Sequence, residues 1–124
     1  MSTILIVEDD TRNMKLVRDV MNANGYSTLE ATTGEEGVAL AMAHRPDLVL
    51  MDIQLPGING ITAFRELRAD PTTATIPVVA FTASVTPADR RRITEAGFCG
   101  LVSKPIELKE FLATLKRLLE GGTG

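Results

Sequence analysis

The stretch "LVLMDIQLPG", residues 48–57, joins four apolar residues to a carboxylate, Asp52, and then to Pro56 and Gly57. A short continuous run of Leu, Val and Met reads as a strand buried on both faces, the habit of parallel sheets. The acid at its tip stands where the strand leaves the core. It could be a solvated end, a metal ligand or a nucleophile. Related runs occur at "ILIV" (4–7) and "VVAF" (78–81), with weaker ones at "STLEA" (27–31) and "CGLV" (99–102).

Helical patterns separate these runs. Met14, Val17 and Met21 repeat at helical spacing, and Gly25 closes that segment. Thr33 and Glu36 form a T-x-x-E capping box before "GVALAMA". Asn59 can cap a helix through Phe64 and Leu67, with Pro71 soon after its end. Thr86 and Pro87 give an N-cap followed by proline at the first helical position, and Gly97 stops that helix. Leu108, Phe111 or Leu112, Leu115 and Leu119 form an apolar stripe on the last helix. Five strand–helix units with right-handed crossovers predict an α/β fold: a doubly wound sheet with helices on both faces.

The bulk numbers agree. The chain has 124 residues, 44% of them hydrophobic and 23% charged, enough for one domain with a core of its own. A formal net charge of −3 offers no general attraction to nucleic acid or to an anionic membrane. No run approaches the roughly 18 apolar residues that span a bilayer. "MSTILIVEDD" lacks the basic start of a signal peptide. A single cysteine, Cys99, excludes an intrachain disulfide and suits a reducing, cytoplasmic setting. The tail "EGGTG" is too short for a linker, so any output is expected in another molecule.

Polar residues follow the apolar runs directly. The first run leads into Glu8, Asp9 and Asp10, the third into Asp52, the fourth into Thr82, and the fifth into Ser103 and Lys104. In open α/β sheets, ligands bind beyond the C-terminal ends of the strands, where the strand order reverses. If the order is 2-1-3-4-5, Glu8, Asp9 and Asp52 converge there, with Thr82 and Lys104 arriving from the next two strands. Clustered carboxylates repel, and a divalent cation relieves this. All-oxygen ligands favour Mg²⁺, Mn²⁺ or Ca²⁺ over zinc. A carboxylate can also act as a nucleophile and form an aspartyl phosphate, with Thr82 and Lys104 suited to the other phosphoryl oxygens. Polar residues at strand ends are common, and any one of these positions has an ordinary solvated reading; their coincidence points to a site.

Taken together, "ILIVEDD", "PDLVLMDIQLPGING", "VVAFTAS" and "LVSKP" resemble the receiver domain of two-component response regulators, along essentially the whole chain. Within that family, "NMKL" (13–16) and "MDIQLPGING" are most similar to DivK-like cell-cycle regulators. The resemblance implies a flavodoxin-like, CheY-like five-stranded parallel sheet in the order 2-1-3-4-5 with five helices. It implies one receiver domain over residues 1–120 with a short tail at 121–124, and a stand-alone receiver, since no effector domain follows. Asp52 matches the phosphoacceptor. Glu8 and Asp9 match the acidic pair that binds Mg²⁺, Asp9 directly and Glu8 through water. Gln54 matches the residue whose backbone carbonyl binds the metal. Thr82 matches the hydroxyl that follows the phosphoryl group, and Ala83 the small residue beside it. Lys104 matches the lysine that pairs with a phosphoryl oxygen, its bond to Pro105 being cis. Gly60 matches a tight-turn glycine after the acceptor.

Two positions depart from the family pattern. The acidic pair reads Glu-Asp in place of the commoner Asp-Asp. Leu101 stands where many receivers carry Tyr or Phe, whose ring swings inward as the threonine moves. The resemblance implies a cytoplasmic phosphoprotein of a two-component system. It would be a switch, limited to its own phosphorylation and dephosphorylation and not a turnover enzyme. Its partners would be a histidine kinase or histidine phosphotransfer protein and a separate effector, with no nucleic acid and no membrane. A phosphoryl shuttle or sink in a phosphorelay, and a scaffold with a vestigial site, are the alternatives. "DRRR" (89–92) reads as a solvated helical face or a partner surface. His44 reads as a surface residue and Cys99 as a buried small hydrophobe. The leucine stripe of the last helix reads as core, with its outer edge open to a homodimer.

Overall fold

Each apolar run forms a strand, and each strand is followed by a helix. The computed structural model describes residues 2–55, 57–83, 86–103 and 107–121, with the backbone alone at 108, 120 and 121. In chain order the elements are β1 (Thr3–Val7), α1 (Thr11–Ala23), β2 (Ser27–Ala31), α2 (Gly34–His44) and β3 (Leu48–Asp52). They continue with α3 (Gly60–Ala69), β4 (Val78–Thr82), α4 (Pro87–Ala96), β5 (Gly100–Ser103) and α5 (Leu108–Gly121). All four strand pairings are parallel, and the order is β2-β1-β3-β4-β5. This is the order the resemblance implies.

Successive strand residues point to opposite faces, so each strand feeds two cores. Leu5, Val7, Val49, Met51, Val78 and Ala80 meet Val38, Ala41, Ile61, Phe64 and Ile93 from α2, α3 and α4. Ile4, Ile6, Leu48, Leu50, Val79 and Phe81 meet Met14, Val17, Met21, Phe111 and Leu115 from α1 and α5. β3 and β4 are buried at every residue, which is why their sequences are unbroken apolar runs. Each fully buried Leu, Ile or Val contributes about 1.5–3 kcal/mol.

The helix starts follow the capping residues. Thr33, Asn59 and Thr86 accept from the backbone N–H groups of Glu36, Thr62 and Asp89. In the box at α2, the Glu36 carboxylate reaches the Thr32 N–H, one residue before the cap. Asp10 caps α1, accepting from the N–H groups of Arg12 and Asn13. Gly97 ends α4 in the left-handed conformation.

The fifth strand begins one residue later than the sequence predicts. Cys99 lies outside it and is exposed, not buried. It is fixed by its own N–H, which donates to the Val78 carbonyl at 2.9 Å. β5 is an edge strand, and its entry faces an open cleft beside Arg68, Pro77 and Leu118. His44 is exposed, as are Arg90, Arg91 and Arg92.

The turn between α3 and β4 is held by side chains. The buried Thr73 hydroxyl donates to the Leu67 carbonyl at 2.6 Å. Arg68 donates to the Ile76 carbonyl at 2.8 Å and lies over the Phe64 ring, 4.6 Å from its centroid. Phe64 in turn stacks on Phe98, with centroids 4.2 Å apart.

Candidate functional site

β1 and β3 are adjacent in the sheet, with Val7 opposite Met51. The residues after them therefore leave the sheet side by side. Carboxylate oxygens of Glu8, Asp9 and Asp52 all lie within 4.8 Å of one another. Glu8 and Asp52 are each 3% exposed, while Asp9 is exposed to solvent. Two of the three acids are thus buried beside other carboxylates, and a nearby cation relieves the repulsion of such a group.

The acids are positioned by backbone groups. The Asp10 N–H donates to Glu8 Oε2 at 3.1 Å, and the Gln54 N–H donates to Asp52 Oδ1 at 2.9 Å. Asp10 thereby does two things: its N–H holds Glu8, and its side chain starts α1. The three consecutive acids "EDD" have separate positions: buried, exposed and capping. The Glu8 N–H donates to the Ala31 carbonyl, and the Ile53 N–H to the Phe81 carbonyl, which ties the ends of β1 and β3 to β2 and β4.

Thr82 ends β4 and is 2% exposed, with Ala83 next to it and exposed. It pairs in register with Ser103. Between Thr82 and α4 lies a cavity of ≈ 220 Å³, lined also by Ile53, Gln54, Ile61, Arg92 and Ile93. Leu101 is opposite Ala80, two residues before Thr82 and so on the same face, and packs half-buried against the core under α2, α3 and α4. Lys104, Pro105 and their peptide bond lie outside the described residues, as does Pro56.

Gly60 has a different role from the one expected. It is the first residue of α3, and a Cβ there would overlap the Asp52 carbonyl oxygen and lie 2.8 Å from the Ile53 Cα. Its N–H donates to the Ile53 carbonyl at 3.0 Å. The glycine of the turn itself is Gly57, at φ 76°. Gly60 is needed for close backbone approach, so that α3 can start directly beside the acceptor strand. The sequence marked a glycine here but not the contact that requires it.

The donor set fits a hard divalent cation. It offers carboxylate oxygens with neither imidazole nor thiolate, two of them buried and fixed by N–H groups, and an exposed third facing water. Among the described residues, no helix is long and apolar enough to cross a membrane.

Residues 4–116 match the response regulator receiver domain. The chain is 44% identical over 117 residues to the polar-differentiation response regulator DivK of Brucella anthropi, covering 94% of this chain and 95% of that one. It is 43% identical over the same length to DivK of Brucella ovis. Its fold superimposes with a TM-score of 0.89 on the receiver domain of the sensor histidine kinase PA1611 of Pseudomonas aeruginosa, which holds a magnesium ion in its active site cleft. That pair is 31% identical, over 95% of this chain and 97% of the other. Chemotaxis protein CheY4 of Vibrio cholerae superimposes with a TM-score of 0.90 at 25% identity, over 96% and 99% of the two chains. With its acidic cluster at the β1–β3 reversal and this agreement along its length, the chain belongs to the response regulator receiver family.

Proposed function

We propose that the protein, through residues 1–120 acting as a receiver domain, is a DivK-like phosphorylation switch of a two-component system in the cytoplasm. Asp52 takes a phosphoryl group from the phosphohistidine of a histidine kinase or phosphotransfer protein. A carboxylate oxygen attacks phosphorus, the P–N bond breaks, and the electron pair returns to the imidazole nitrogen. The observation that carries this reading is the gathering of the Glu8, Asp9 and Asp52 carboxylates within 4.8 Å at the strand-order reversal.

The residues divide the work. The Gln54 N–H on Asp52 Oδ1 holds the attacking carboxylate in one orientation. Glu8, Asp9, Asp52 and the Gln54 carbonyl would hold Mg²⁺, which supplies charge neutralisation for the incoming phosphoryl oxygens. Lys104, turned by a cis bond to Pro105, is assigned by resemblance to another of those oxygens. Ala83 leaves them room, and the Thr82 hydroxyl follows them. Phosphorylation replaces the carboxylate charge of Asp52 by an acyl phosphate, so the site gains less than the about −1.5 to −2 charges that a phosphorylated hydroxyl gains at neutral pH. That charge biases a two-state surface read by a separate effector. The protein turns over only its own phosphate.

The test is incubation with Mg²⁺ and a small phosphodonor. The expected product is an acid-stable, base-labile phosphate that Asp52→Asn abolishes; labelling that survives the substitution would refute the acceptor assignment. A second reading, a phosphoryl shuttle, is favoured by Leu101, which packs in the core without the ring that usually couples phosphate to output. Equal effector affinity with and without beryllofluoride would favour the shuttle, because a ligand that does not discriminate two states shifts neither.

A further inference from the structure

α2 contributes no carboxylate to the acidic cluster, yet it touches both chain segments that build it. At Gly37 a Cβ would lie 2.7 Å from Val7 Cγ2, and Val7 is the residue immediately before Glu8. One turn earlier, at Gly34, a Cβ would lie 2.7 Å from both Ile58 Cγ1 and the Ile58 carbonyl oxygen. Ile58 belongs to the segment between Asp52 and α3. Gly34 and Gly37 are three apart and both buried, so they share one face of the helix. The same segment meets α2 again at Gly57, where the Glu35 carboxylate occupies the space a Cβ would take. A helix with side chains at 34 and 37 could not sit this close to either neighbour.

We propose that α2 is the positioning element of the metal-binding side of the site. It spans from the end of β1 to the loop after β3 and fixes the spacing between Glu8–Asp9 and Asp52–Gln54. This rests on the reading of that cluster as a Mg²⁺ site and goes beyond it by assigning Gly34 and Ile58, which contribute no ligand, to its precision. Because one contact at Gly34 is the backbone carbonyl of Ile58, a methyl group there cannot be absorbed by a side-chain rotation. The loop has to move, and with it the Gln54 N–H that orients Asp52. Metal sites whose supporting contacts are lost typically weaken by about 10–100-fold.

The experiment measures Mg²⁺ affinity by calorimetry and, in the metal-free protein, hydrogen exchange at the Gln54 amide. Wild type is compared with Gly34→Ala, with Ile58→Ala and with Gly25→Ala. Gly25 has φ 87° and open space around it, so alanine there strains the backbone away from the site. Ile58→Ala removes the packed side chain without adding bulk, in case Gly34→Ala does not fold. The expected result is a Mg²⁺ affinity at least tenfold weaker and faster Gln54 exchange in Gly34→Ala and Ile58→Ala, with both unchanged in Gly25→Ala despite its lower Tm. Unchanged affinity and exchange at 34 and 58, or equal loss in Gly25→Ala, would overturn the positioning role. Absence of Mg²⁺ binding in wild type would overturn the metal reading itself and the inference with it.

Discussion

The two ends of the sheet use their polar residues in opposite ways. At the N-terminal end, polar side chains are satisfied by nearby main chain. Asp47 Oδ2 accepts from the Thr3 N–H at 2.7 Å, Thr73 donates to the Leu67 carbonyl, and Arg68 donates to the Ile76 carbonyl. At the C-terminal end, three carboxylates are brought together and two are buried. Hydrogen bonds of the first kind contribute about 0.5–1.5 kcal/mol each to the fold. The acids at the C-terminal end also accept from main-chain N–H groups, those of Asp10 and Gln54, but they are placed beside one another, an arrangement suited to a cation. Two sets of loop residues that look alike in sequence therefore differ in placement: each is satisfied singly at one end, and carboxylates are gathered at the other.

The sharpest break in this comparison is chemical. Asp52→Asn is expected to remove phosphate incorporation entirely, while Thr73→Val leaves it intact; radiolabel transfer from a phosphodonor checks both. Stability should divide the other way. Thr73→Val deprives a buried carbonyl of its donor and is expected to cost about 1–3 kcal/mol in a denaturant melt, with or without Mg²⁺.

Mg²⁺ gives the next largest effect. A cation bound only by the folded state adds about 2.7 kcal/mol at a hundred times its Kd, so Tm should rise with Mg²⁺ in wild type and in Thr73→Val. The rise should largely vanish in Asp9→Asn.

The smallest effect is at the N-terminal end. The Thr72 hydroxyl and then the Thr72 N–H donate to Asp70, holding its carboxyl below the ordinary aspartate range. With the folded value depressed, its contribution is present above the ordinary aspartate pKa and fades as pH falls through the folded value. NMR titration should find Asp70 protonating at lower pH than an unperturbed aspartate, and that displacement should shrink in Thr72→Ala.

Much of this was legible before the fold was known. Apolar runs marked the strands because β3 and β4 are covered on both faces, and the caps at Thr33, Asn59 and Thr86 act through neighbours within three residues. Such signals are local, so the sequence carries them. Cys99 misled because its burial depends on which strand lies at the sheet edge, a property of the whole topology. Gly60 was noticed for the wrong reason: its need is a contact with the Asp52 carbonyl across the loop. Gly34 and Gly37 carry no signal of their own in the sequence, since nothing near them in the chain shows that Ile58 and Val7 press against them.

The sequence alone determined which residues are candidates for the chemistry: a run of carboxylates after one apolar strand, an isolated one after another, and a hydroxyl after a third. It could do so because side-chain type and position relative to strand ends are written in the chain. Only the tertiary structure decided that the carboxylates meet within 4.8 Å and that Leu101 packs beside Thr82's face of the sheet. Those facts depend on strand order and on close backbone approaches between segments tens of residues apart, where packing, not local preference, sets the geometry.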